Sequence, residues 1–281
     1  MKGKLILCAT PIGNLEDITL RTLNTLKEVD CIAAEDTRHT QKLLNAYHIK
    51  KPLTSYHEHN KIDKAKVIIE KIKEGNTIAL VSDAGTPGIS DPGEELVKLC
   101  YKENIEVTAL PGAVAGIMAL ILSGLSTRRF AFEGFLPTHK KEKEYILKQL
   151  NEEVRTIILY EAPHRLKKTL QELKEALGNR KITICKELTK KFETIMPIDI
   201  ERAILFYEKE EPRGEYVLVI EGKTIDYKIE EDQDQWKALT IEEHMTYYEK
   251  ENISKKEAMK LVAKDRGVGK RDIYKALLKE E

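Results

Sequence analysis

Short apolar runs that end in turn residues recur through the first 110 residues, and stretches with helical spacing separate them. Alternation of this kind favours a parallel sheet with helices on both faces. Leu5 to Ala9, Cys31 to Ala34, Thr77 to Val81 and Ile105 to Leu110 read as four such strands. Between them, Asp17 is placed to cap a helix with Leu20, Leu23, Leu26 and Val29 on one face. Asp63 starts another, with Val67, Ile69 and Ile72 inward and Gly75 as the stop. Glu94 to Glu103 is a third.

The texture changes after "PGAVAGIMALILSGL", a small-residue helix behind the Pro111-Gly112 break. Phe130 to Phe135, Thr156 to Tyr160, Ile182 to Cys185 and Tyr216 to Ile220 read as strands of a mixed or antiparallel sheet, with Lys- and Glu-rich helices among them. The expected organisation is an α/β lobe over residues 1–122, a second α/β lobe over 123–225, an acidic linker region over 226–252 and a basic helical appendage over 253–281. The linker is read from "IEEDQDQ". In the appendage, Ala258, Leu261 and Val262 give one apolar face, and Ile273, Tyr274, Ala276 and Leu277 the other. From Ser254 to Lys279 there are nine Lys or Arg against three Asp or Glu. A solvated helical hairpin and an RNA-contacting unit resembling a helix-turn-helix both fit that stretch.

Acidic and basic residues balance at 47 each, so no whole-molecule field draws the chain to nucleic acid. Positive charge has to act locally. No apolar run approaches the length of a membrane span, and "MKGKLILCATPIGN" turns polar too early for a signal peptide, which leads to a cytoplasmic expectation. The four cysteines, Cys8, Cys31, Cys100 and Cys185, form no CxxC pair and read as small core residues. His57-Glu58-His59 lacks a third ligand at recognisable spacing, so no metal is expected.

Two turn-rich loops follow strands: "ATPIGNLEDITL" from Ala9 and "LVSDAGTPGISDPG" from Leu80. Neither contains the P-loop or GxGxxG pattern, and neither places a lysine for phosphate. They carry Asn14, Glu16, Asp17, Asp83 and Asp91 instead. Acidic, carbonyl-rich loops suit a cation, and S-adenosylmethionine fits through its sulfonium, its amino-acid end and its ribose hydroxyls. Plain strand-to-helix turns are the alternative.

In order, "TPIGNLEDITLR", "AAEDTRHT", "LVSDAGTPGISDPG", "LPGAVAGIMALILSGL", "RFAFEGFLP", "YEAPHRL" and "KELTKKFET" resemble the tetrapyrrole methylase superfamily, and specifically its branch that methylates ribosomal RNA. Where corrin and sirohaem enzymes usually carry Gly-Asp-Pro, this chain has Ser82-Asp83-Ala84. The resemblance implies a two-lobed methyltransferase that binds S-adenosylmethionine in the cleft between its lobes. It implies transfer to the ribose 2′-oxygen of a cytidine in the decoding region of 16S ribosomal RNA, and a homodimer. By position, Pro11, Asp83, Gly85, Thr86, Ala115 and Gly116 would touch the cofactor from the first lobe. Tyr160, Glu161, Glu187, Leu188, Glu215 and Tyr216 would approach it from the second. Relatives often have Ser or Thr at Ala115, which leaves that contact to the backbone here.

A ribose hydroxyl is a poor nucleophile near neutral pH, so a base would add roughly 10²–10⁴-fold. Glu35, Asp36, His39, His59, Glu133, Glu161, Lys186 and Glu187 are candidates, and no spacing rule selects among them. The segment with Glu35, Asp36 and His39 is preferred because it ends a strand at the edge that carries the cofactor loops. Helix capping competes for Glu35 and Asp36, and a plain surface role for His39. Arg38, His164 and Arg165, with Lys270 and Arg271 of the appendage, are the candidate RNA contacts. A methylase of small tetrapyrroles and a non-catalytic ribosome-binding module are the competing readings.

Overall fold

Alternate residues of the first strand, β1 (Lys4–Cys8), face two different cores. Leu5 and Leu7 pack on one face of the sheet with Ile68, Ile72, Leu96 and Cys100. Ile6 and Cys8 pack on the other with Leu26, Val29 and Leu44. A strand buried on both faces reads as a continuous apolar run, which is what "LILC" is. The computed structural model describes residues 3–224, 236, 239–250 and 253–277. The chain divides into two compact units, Met1–Glu221 and Gly222–Glu281.

In the first unit, β1 lies in a five-stranded sheet of order β3-β2-β4-β1-β5, where β2 is Cys31–Ala34, β3 Leu53–Ser55, β4 Thr77–Val81 and β5 Glu106–Leu110. Every pairing is parallel. Five helices accompany it: α1 (Leu20–Glu28), α2 (Thr37–Ala46), α3 (Lys61–Lys73), α4 (Gly93–Lys102) and α5 (Ala115–Leu122). The second sheet has the order β6-β7-β10-β8-β9, with β6 Phe130–Phe135, β7 Thr156–Glu161, β8 Lys181–Lys186, β9 Thr194–Asp199 and β10 Tyr216–Ile220. Only β6 and β7 run parallel; the remaining pairs are antiparallel. One face packs on α6 (Lys140–Asn151), α7 (Pro163–Leu177) and α8 (Ile200–Lys209) through Leu150, Leu166, Leu170 and Ala203. The opposite face meets α5 and the first loop: Ile158, Val217 and Val219 share a core with Ile12, Ala119 and Leu120.

Several local expectations change. Thr19, not Asp17, caps α1 by accepting from the Thr22 amide at 3.0 Å, while Asp17 closes a single 3₁₀ turn. Leu20 is then the first helical residue and 79% exposed. α3 begins two residues before Asp63, and its Val67 is 47% exposed because Ala65, Ile68, Ile69 and Ile72 already fill the inward stripe. Strands β3 and β9 were not among the expected strands. Both are edge strands, and β9 carries Pro197, which suits an edge whose amide need not be donated.

The second unit contains α9 (Ile241–Glu249), α10 (Lys255–Asp265) and α11 (Lys270–Leu277) around Met245, Ala258, Val262, Ala263 and Ile273. The stretch "IEEDQDQ" lies outside the described residues. The expected linker instead holds the helix Ile241–Glu249, because Ile241, Met245 and Tyr248 recur on one face and Thr240 with Glu243 forms a capping box. Tyr274, expected inward, is 55% exposed.

His244 is fully buried in this unit and stacks on Trp236 with ring centroids 4.0 Å apart. Its Nδ1 accepts from Arg266 Nε at 3.2 Å, and its Nε2 lies 3.4 Å from Asp265 Oδ2. Accepting at Nδ1 requires a neutral ring. Burial, followed by the Arg266 charge, lowers the His244 pKa, with Asp265 opposing. The unfolded chain therefore binds a proton that the folded unit refuses. Stability from this group is complete above the ordinary histidine value of about 6.5 and declines as pH falls below it. Melting followed by the emission of Trp236, the single tryptophan, is expected to shift down between pH 7.5 and 5.5. A His244→Phe variant should lose that part of the pH dependence; an equal shift in both proteins would contradict the assignment.

Candidate functional site

The two turn-rich loops leave adjacent strands, β1 and β4, at their carboxyl ends, where open α/β sheets bind ligands. The loops are tied together. The Thr10 amide donates to the Gly85 carbonyl at 2.9 Å, and Thr10 Oγ1 donates to the Ser82 carbonyl at 3.3 Å. Thr86 Oγ1 donates to the Ala113 carbonyl at 3.0 Å and so adds the loop after β5. Asp83 Oδ1 accepts the Asp36 amide at 2.9 Å and adds the loop after β2. Asp91 holds the far end of its own loop by accepting from the Gly88 and Gly93 amides at 2.8 and 2.7 Å. The aspartates and glycines of "LVSDAGTPGISDPG" are therefore turn-builders as well as a binding surface. Gly85 has φ +79°, and a Cβ there would sit 3.0 Å from the Ala113 carbonyl oxygen.

The second lobe closes over these loops. The Asn14 amide donates to Thr189 Oγ1 at 3.0 Å. A Cβ on Gly13 would lie 2.4 Å from Lys190 Cγ, so only glycine lets the two loops meet this closely. Tyr160 Oη accepts the Gly116 amide at 3.1 Å, and its ring packs edge-on against Phe132 and Phe135.

Between the lobes lie two adjoining cavities that share Ile12, Ala84 and Glu215. The first, about 310 Å³, is bounded by Gly85, Thr86 and Ala115 from one lobe and by Tyr160, Glu161, Leu188, Glu215 and Tyr216 from the other. Its walls are mostly apolar, through Ile12, Val114, Leu188 and Val217. The second, about 460 Å³, is more polar and includes Pro11, His39, Lys42, Asp83 and Lys190.

Most residues expected at the cofactor thus meet at these cavities, and Gly116 stands beside them through Tyr160. Glu187 lines neither. Its carboxylate accepts the Glu215 amide at 2.9 Å and pairs with Lys190 at 3.1 Å. Glu161 is 2% exposed, and its oxygens accept from the Ala162 amide at 2.8 Å and Thr169 Oγ1 at 2.5 Å.

Among the base candidates, His39 lines the second cavity, whereas Glu35 and Asp36 line neither. Asp36 caps α2 and binds Arg38 at 3.1 Å, which holds its carboxyl down at about 2. A carboxylate that acidic is a poor proton acceptor near neutral pH. Glu35 is the opposite case: burial, with Asp83 and then Asp91 adding, raises its pKa. Of the RNA candidates, Arg38, His164 and Arg271 are exposed and Lys270 is half-buried. Arg165 is engaged internally, donating to the Leu136 carbonyl at 2.6 Å and lying 3.4 Å from Glu161. Sequence reading missed Ile12, Phe135, Lys42 and Lys190 as site residues. Lys190 stands in the "KELTKKFET" motif beside its local partner Glu187, but its second partner, Glu215, meets it only across the β8–β10 pairing. Among the described residues no cluster of three or more His, Cys, Asp or Glu is placed to hold a metal ion, and no helix is long and apolar enough to cross a membrane.

Two α/β lobes, one wholly parallel and one mixed, thus enclose a cleft at the strand ends, beside loops without a phosphate grip. The family model for tetrapyrrole (corrin/porphyrin) methylases matches residues 4–203. Solved structures share the fold: diphthine synthase at TM-score 0.63 and 13% identity, covering 78% of this chain and 90% of that one. The uroporphyrin-III C-methyltransferase of Thermus thermophilus in complex with S-adenosyl homocysteine aligns at TM-score 0.56 and 17% identity, covering 78% and 97%. Among curated relatives, ribosomal RNA small subunit methyltransferase I of Halalkalibacterium halodurans is 50% identical over 97% of this chain and 94% of its own length. The Bacillus subtilis protein of the same name is 49% identical over 98% and 94%. The chain belongs to the tetrapyrrole methylases and, within them, to the ribosomal RNA small subunit methyltransferase I group.

Proposed function

We propose that the protein transfers a methyl group from S-adenosylmethionine to the ribose 2′-oxygen of a cytidine in 16S ribosomal RNA, acting in the cytoplasm. The observation that carries this reading is the pair of adjoining cavities, one mostly apolar and one polar, beside a loop system with no phosphate grip. The donor set fits the cofactor. Apolar walls at Ile12, Leu188 and Val217 suit an adenine, and the backbone at Gly85 and Ala115 is open to close approach. Asp83 and Glu215 offer acceptors for amino or hydroxyl groups. When bound, the cofactor supplies a methyl carbon already activated by a positive sulfur.

The chain's own contribution is positioning. An in-line attack needs the acceptor oxygen about 3 Å from its target carbon, and most acceleration then comes from orientation. The clasp of Gly13 and Asn14 on Thr189 and Lys190 holds the lobes at a fixed separation and narrows solvent access. Of the base candidates in the segment after β2, His39 is the one that reaches a cavity, while Glu35, whose pKa burial raises, stands outside both.

Mass-spectrometric mapping of small-subunit RNA after incubation with labelled cofactor tests the assignment. One 2′-O-methylated cytidine is the expected product. A methyl group on a base, or none on RNA, would overturn it.

The assembly proposed with this function is a homodimer. Helix α5 exposes Ile117, Ile121 and Leu122, and the edge strand β6 exposes Phe130 and Phe132. The two elements adjoin, since a Cβ on Gly116 would lie 3.4 Å from the Phe132 ring. A second copy is the occupant that would cover this face. Sedimentation is expected to give twice the chain mass, and an Ile121→Glu variant the single mass; a monomeric wild type would refute the dimer.

A further inference from the structure

We propose that the second, polar cavity is the seat of the acceptor RNA's sugar-phosphate backbone, and that Lys42 is its phosphate contact. This rests on the methyl-transfer reading above and adds a substrate subsite to it.

Three basic side chains reach this cavity: His39 and Lys42 from α2, and Lys190 from the second lobe. Lys190 is already neutralised, with Glu187 at 3.1 Å and Glu215 at 2.9 Å. Lys42 is exposed and has no ion pair or hydrogen bond among the described residues. It stands one turn beyond Arg38 and His39, and α2 is rigidly placed. The Asp36 cap binds the first turn, and Leu43 and Leu44 on the neighbouring positions are buried. The cavity's two carboxylates are each engaged through one oxygen, Asp83 Oδ1 by the Asp36 amide and Glu215 Oε2 by Lys190, and neither pairs with Lys42. An uncommitted cation therefore faces a space that already adjoins the apolar cavity through Ile12, Ala84 and Glu215.

The covalent structure of RNA supplies the rest of the argument. A reactive 2′-oxygen sits on the ring carbon next to the one that carries the 3′-phosphodiester. Any RNA that presents this oxygen at the wall shared by the cavities must run a phosphate close beside it. The neighbouring space is the second cavity, and Lys42 is its free positive charge. Phosphate contacts of this kind fix register without reading sequence. They also explain how a chain with zero formal net charge engages RNA: the attraction is one of placement at the cleft rim.

The test compares wild type, Lys42→Ala and Lys42→Arg, with purified small ribosomal subunits and protein-free 16S RNA as probes. Three quantities are read: affinity for S-adenosylhomocysteine by calorimetry, kcat and KM for methylation, and the slope of log affinity for RNA against log salt. In Lys42→Ala, cofactor affinity is expected to stay within a factor of two. KM for RNA should rise by about tenfold with kcat little changed, as for loss of one charge-assisted contact. The salt slope should become shallower by roughly one. Lys42→Arg should restore both. An unchanged slope and KM in Lys42→Ala, with wild type active, would refute the subsite and leave the function standing. Loss of cofactor affinity in Lys42→Ala would assign the cavity to the donor and refute it as well. A wild type that binds the cofactor but methylates neither probe removes the methyl-transfer reading and the subsite together.

Discussion

Gly85→Val is expected to abolish cofactor binding, raising the dissociation constant for S-adenosylhomocysteine at least about 100-fold. Two physical effects combine at this position. A β-branched residue at φ +79° stores about 1–3 kcal/mol of backbone strain. Its Cβ would also press on the Ala113 carbonyl oxygen at 3.0 Å and on Ile12 Cγ2 at 3.1 Å. Both neighbours belong to the cavity wall or the loop beside it, so relief of the contact deforms the site. The Gly85 carbonyl also anchors Thr10, and movement of one loop displaces the other. Gly124 provides the control. It has a similar φ of +71°, but a Cβ there meets nothing within 4 Å. Gly124→Val should lower the melting temperature and leave affinity for the cofactor product intact. If calorimetry shows equal affinity for Gly85→Val and wild type, the first cavity is not the cofactor site.

Glu161→Ala is expected to destabilise the first unit by about 2–4 kcal/mol, at roughly 1–3 kcal/mol for each buried partner left unpaired, with little from Arg165, whose side chain is 23% exposed. The carboxylate is 2% exposed and lies 3.4 Å from Arg165 Nε. Truncation would leave Arg165 without its counter-charge, the Ala162 amide at the start of α7 without its acceptor, and the Thr169 hydroxyl without a partner. Glu161→Gln retains an acceptor and the side-chain volume, so a smaller loss follows, mostly from the missing charge opposite Arg165. Urea unfolding of the three proteins measures the difference. A loss below about 1 kcal/mol in the alanine variant would mean that these groups find other partners. Because Glu161 also borders the first cavity, cofactor affinity should fall in step with the loosened start of α7.

These residues show where sequence reading succeeds and where it stops. The parallel core strands were legible because each is short, apolar on both faces and closed by a turn. β3 and β9 escaped because β3 has only three residues, all partly exposed, and β9 has no buried residue and carries a proline, whereas the edge strands β5 and β6 keep enough apolar residues to be read. Leu20 and Val67 were misplaced because periodicity gives the direction of an apolar stripe but not its edges. The cofactor loops stood out through glycine and proline, whose backbone roles are local. Lys42 did not stand out, since a single lysine on a helix is unremarkable until the fold sets it at a cavity. Asp36 and Glu35 are adjacent in the chain, yet one titrates near 2 while the other is raised, because Arg38 binds the first and burial beside Asp83 and Asp91 governs the second.

The sequence by itself determined the two-lobed α/β class, the identity of the turn-rich loops and the group of methyltransferases to which the chain belongs. Those features depend on local spacing, on backbone freedom at glycine and on long motifs. Tertiary structure decided which loops touch, which cations are already neutralised and which carboxylates are free to act. Each of those outcomes is a distance between residues far apart in the chain, such as Asp83 to Asp36, Lys190 to Glu215 or Asn14 to Thr189. Periodicity and composition carry no term for such distances, and only the packing of both lobes sets them.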